Sequence, residues 1–148
     1  MNLFNFIARG TAGCPPIKTS REQRMDKITE DTRDRWIHAL QADEMRAWLN
    51  IGQAQTSTLH GLATMLTIAG LARAFTDQSI ETPQVRVIRG AMSVIKGCTD
   101  NGAIITETDV VTLQVACREA KDIIRNAPRA AIHYAAINMH AIAHEVAA

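Results

Sequence analysis

From Gln53 to Ala72 the chain carries no formally charged side chain, and this stretch constrains the fold more than any other. Its length approaches that of a membrane span. Gln53, Gln55, Thr56, Ser57, Thr58, His60, Thr64 and Thr67 make it too polar for a lone one. Leu59, Leu62, Met65, Leu66, Ile68, Ala69, Leu71 and Ala72 cover most of a helical circumference at about 100° per residue. A helix apolar nearly all round belongs in the middle of a bundle. Gly61 and Gly70 are expected to let neighbouring helices approach it closely.

The rest of the chain supplies helices to surround it. Thr19 or Ser20 opens a helix whose charges alternate in sign from Arg21 to Arg35, a pattern of favourable pairs on a solvated face. Met25, Ile28, Thr32, Trp36 and Ala39 form its expected inner stripe. Met45, Trp48 and Leu49 fall on nearly the opposite side, which predicts a break or kink near Asp43. Thr82-Pro83 is a helix start, followed by Val85, Ile88, Ala91, Met92 and Ile95 at helical spacing, with Gly97 and Asp100-Asn101-Gly102 as its stop. The β-branched residues flanking Asn101-Gly102 permit a hairpin instead. Thr106 or Thr108 caps the next helix, whose core face is Val110, Leu113, Ala116, Cys117, Ala120, Ile123 and Ile124. Pro128 separates it from a last helix with Ile132, Ala135, Met139, Ile142 and Val146 on one stripe.

The expected fold is therefore all-α, a compact antiparallel bundle of about five helices. Residues 19–148 form one domain, preceded by an irregular arm over residues 1–18, where Gly10, Gly13, Pro15 and Pro16 forbid a continuous helix. The aromatic residues are few: Phe4, Phe6, Trp36, Trp48, Phe75 and Tyr134. The core must be mainly aliphatic, which suits closely packed helices. Thr11-Ala12-Gly13-Cys14 loosely resembles a lipoprotein cleavage box. However, no Lys or Arg precedes the short apolar stretch Met1–Ala8, and Arg9 interrupts its end. The expected location is the cytoplasm. Cys14, Cys98 and Cys117 form no disulfide framework, and Cys117 lies on an apolar face as a small core residue.

Function is less legible. The formal net charge of +1 supplies no global field toward nucleic acid or an anionic membrane. His133, His140 and His144 form one row along the last helix, opposite its apolar stripe. Two imidazoles four residues apart can share a metal ion, but Zn²⁺ needs further ligands and the sequence places none beside them. Arg86, Arg89, Ser93 and Lys96 share one side of the helix after Pro83, a basic row able to meet phosphates. Arg33 and His38, with Asp34 after the arginine, superficially resemble the ribonuclease signature of HEPN domains, which are also small helical bundles. That resemblance implies RNA cleavage, yet the family usually carries its motif on a late helix and here it lies early, so no role is carried over. Val111 and Val115 share a side with Arg118, Asp122 and Arg125, a small apolar patch rimmed by charge. Leu3, Phe4 and Phe6 of the arm are further interface candidates. The leading expectation is a non-enzymatic interaction or regulatory protein. It would form a homodimer, and would meet another protein, through exposed helix faces, with no cofactor. The alternatives are metal binding by the histidine row and nucleic-acid association by the basic row.

Overall fold

The structure is a computed structural model and describes residues 17–49, 51–52, 56–76, 82–102 and 104–138. These form five helices: α1 (Ser20–Leu49), α2 (Thr56–Thr76), α3 (Pro83–Asn101), α4 (Glu107–Asn126) and α5 (Arg129–Ile137). Among the described residues there is no strand. Helix α2, uncharged up to Ala72, packs against all four others, as its apolar circumference requires. Leu59, Leu62, Ala63, Leu66, Ile68, Ala69 and Ala72 are buried along it. The full expected face of α4, from Val110 to Ile124, is buried as well.

Local chemistry sets the helix ends. The Thr19 hydroxyl accepts from the Glu22 backbone N–H, and the Thr19 N–H donates to the Glu22 carboxylate. Thr106 and Asp109 make the same reciprocal box at the start of α4. Thr82 caps α3 with Pro83 in its first turn. Gly97 does not stop α3: the helix continues, burying Cys98, to Asn101. Gly102 closes it at φ 64°, a left-handed conformation suited to glycine, so no hairpin forms there.

The expected break near Asp43 is absent, and α1 is one helix of 30 residues, about 45 Å long. Its buried stripe is Thr29, Thr32, Trp36, Leu40, Asp43 and Ala47. Those spacings average the helical repeat, so the stripe runs straight and needs no kink. Two polar members, Thr29 and Asp43, concealed it in the sequence. Met25 and Ile28, read as core, are instead 43% and 56% exposed. Gly61 of α2 fits its expected role, since a Cβ there would meet the Asp43 carboxylate at 3.1 Å. Gly70 has nothing that close, so it is not a contact point.

Arg33 joins three helices. Its side chain is only 11% exposed. Nη1 donates to the carbonyls of Ile124 at 2.6 Å and Ala127 at 2.7 Å. These belong to the last turn of α4 and to its C-cap, where carbonyls lack helical partners. Nε bonds Glu30 at 2.9 Å, and Glu30 in turn receives Arg129 of α5 at 2.8 Å. Arg33 first, then Arg129, hold the Glu30 carboxyl below its ordinary range. At the other end of the bundle Gly52, at φ 88°, donates to the Ile105 carbonyl. Helices α1 and α4 therefore run antiparallel.

Two stability outcomes follow from these contacts. Arg33→Ala strands several carbonyls near the core and should cost about 2–3 kcal/mol in urea denaturation. Lys27→Ala, in an exposed pair with Asp31, should cost less than about 0.5 kcal/mol. Burial pushes the Asp43 carboxyl above its ordinary 3.8, and Arg46 opposes this. The folded chain then holds that proton to higher pH than the unfolded chain, so this contribution to stability falls as pH rises through and above 3.8. Asp43→Asn should gain stability relative to wild type on going from about pH 4 to about pH 7. An unchanged difference between the two urea series would show that the carboxyl is not perturbed.

Candidate functional site

The outer surface of α1 and α4 collects large apolar side chains that the core does not use. On α1, Met45, Trp48 and Leu49 are 60%, 37% and 75% exposed. They lie off the buried stripe because the helix continues straight through Asp43. On α4, Val111 is 47% exposed and Val115 is half-buried. Gln114, one turn from Val111, lines the same shallow concavity as Met45 and Trp48, which measures about 490 Å³. Glu44 and Lys121, which also line it, form a 3.6 Å ion pair, each side chain 19% exposed. Arg118 stands exposed on α4 beside this surface. An apolar centre with an aromatic residue and a charged rim is the common anatomy of a protein-binding surface.

The thiol beneath this surface is chemically quiet. Cys117 is fully buried in α4. Burial, then the nearby Glu44, pushes its pKa up to about 12. At neutral pH it is a protonated core side chain, as its place on the apolar face indicated. Cys98 is also buried, and burial followed by Asp109 raises its pKa.

The other candidates do not converge. Arg33 spends its guanidinium on helix-end carbonyls and Glu30, while His38 is exposed. Five positions apart on one helix, they point about 140° from each other. In the basic row Arg86, Arg89 and Ser93 are exposed. Lys96 pairs with Asp100 at 2.7 Å, so the positive segment ends on a carboxylate. His133 is exposed on α5, where it lines a groove between α1 and α5 with Ile132 and Ala136. His140 and His144 lie outside the described residues, as do Leu3, Phe4 and Phe6. Among the described residues no three His, Cys, Asp or Glu side chains are grouped to hold a metal. No described helix is long and apolar enough to cross a membrane.

The Trp48 concavity was missed in the sequence because Met45, Trp48 and Leu49 suggested a kink rather than a second face. The signal was nonetheless there: a helix with apolar residues on two sides has two things to cover. No protein family, curated protein or solved structure matches the chain. The described residues form a five-helix bundle with one apolar patch around Trp48 on its outer surface.

A thiol with pKa about 12 holds about a thousandfold less thiolate than one at the ordinary 9.0. In a Cys14→Ser background at about pH 8, Cys117 should therefore react with a disulfide reagent at least about a thousandfold slower than in denaturant. Rapid labelling of the native protein at Cys117 would contradict its place in the core.

Proposed function

We propose that this protein is a non-enzymatic interaction module that self-associates through the exposed faces of α1 and α4. The observation that carries the reading is the Trp48–Met45 concavity, with Leu49 and Val111 exposed on the same two helices. Several large apolar side chains in water cost about 25 cal/mol per Å² until something covers them. Tryptophan is among the residues that most often dominate such interfaces. The Arg118 and Glu44–Lys121 charges around the concavity favour a docked surface of defined register over indiscriminate adhesion.

A homodimer is the simplest assembly, because a two-fold axis lets one patch cover its own copy. Polar neighbours such as Gln41 and Gln114 can pair across such a contact. A regulatory role, in which a second protein competes for the same face, is consistent with a surface that mixes apolar and charged groups.

The test is molecular mass in solution across a dilution series, for wild type and for Trp48→Ala. Loss of a central aromatic anchor should weaken the dimer by about 2 kcal/mol or more, roughly thirtyfold in Kd. The helical dichroism should stay the same, since Trp48 is outside the core. A wild-type mass that stays monomeric at high concentration removes the self-association reading. So does a dimer indifferent to both Trp48→Ala and Met45→Ser.

A further inference from the structure

A second apolar surface lies away from the first, at the start of α1. Met25 and Ile28 on α1 and Ile137 on α5, which is 66% exposed, flank a groove of about 260 Å³. Its α1 wall also includes Thr29 and Thr32. Both hydroxyls are used within the helix, donating to the Met25 carbonyl at 2.9 Å and the Ile28 carbonyl at 2.8 Å. The threonines have their hydrogen-bond donors satisfied, so the groove is more apolar than its composition suggests. An apolar cavity of about 150 Å³ accommodates a benzene ring, so this groove has room for a phenyl ring and an aliphatic neighbour.

We propose that the groove is the seat of the chain's own N-terminal segment, with Phe4 and Phe6 as the side chains that enter it. Three observations lead there. The segment carries Leu3, Phe4, Phe6 and Ile7, which supply the aromatic and aliphatic groups the groove can hold. The segment also attaches beside it. Lys18, two residues before α1, reaches Asp26 in the second turn of that helix, so the segment is tethered at this end of α1. From Ser20 to Ile28 along α1 is about 12 Å, whereas the chain from Ile7 to Ile17 can span up to about 35 Å. Finally, Gly10, Gly13, Pro15 and Pro16 form a connection that favours turns over helix. The chain also leaves α5 beside the groove, but residues 139–148 contain no Phe, Trp or Tyr.

The arm then docks in cis, on a surface separate from the Trp48 concavity. The experiment is hydrogen exchange on the full chain, read by mass spectrometry over residues 1–10. Amides of residues 3–7 should exchange at least about tenfold slower than in an unstructured chain, independently of protein concentration. Ile28→Ser with Ile137→Ser should remove that protection and leave the helical dichroism unchanged, because both residues are exposed. From the groove side, Phe4→Ser with Phe6→Ser should speed peroxide oxidation of Met25 severalfold. Three results would overturn the proposal: exchange of residues 3–7 at the unstructured rate, protection that survives the groove substitutions, or protection lost on dilution as the mass falls from dimer to monomer. The last would place the arm in the groove of a second copy.

Discussion

A helix that ends inside a protein leaves carbonyls that need donors, and the turn from α4 to α5 ends one helix and starts the next within a few residues. Arg33 resolves this. One guanidinium reaches the carbonyls of Ile124 and Ala127 and binds Glu30, which holds Arg129 at the start of α5. Arginine suits the place because its planar, fixed fork keeps its charge and serves several acceptors together. Without it the carbonyls of Ile124 and Ala127 lose this donor, beside the buried Ile123, Ile124, Ala131 and Ile132. The bundle closes because α1 supplies a cation where α4 needs one.

The same corner gives the arginine of the Arg33–His38 pair a structural role. Arg33 and His38 have the spacing of a ribonuclease motif, yet the arginine is occupied as a cap and the histidine faces another way.

The helices were legible because period and capping agree. The Thr106–Asp109 box, the Thr82-Pro83 start and the unbroken apolar face of α4 are all local signals. The path of α1 was not legible, because its inner stripe contains Thr29 and Asp43. A carboxylate enters the core only where Gly61 leaves space for it and Arg46 answers its charge. Those are long-range or paired facts that a hydropathy pattern does not contain. The same misreading hid the candidate surface. Once Met25 and Ile28 are assigned to the core and a kink is placed at Asp43, neither the groove at one end of α1 nor the concavity at the other can be seen.

Helix α1 is anchored unevenly. Every buried residue it has lies from Thr29 onward. The turns from Ser20 to Ile28 rest on the Thr19–Glu22 box and on surface pairs such as Lys18–Asp26. Such contacts are worth little individually, so this end can unwind without opening the core. The length of α1 is therefore an adjustable quantity, set by whatever lies against Met25 and Ile28. A ligand on that wall would be felt first as added helix, before any change in the packed interior.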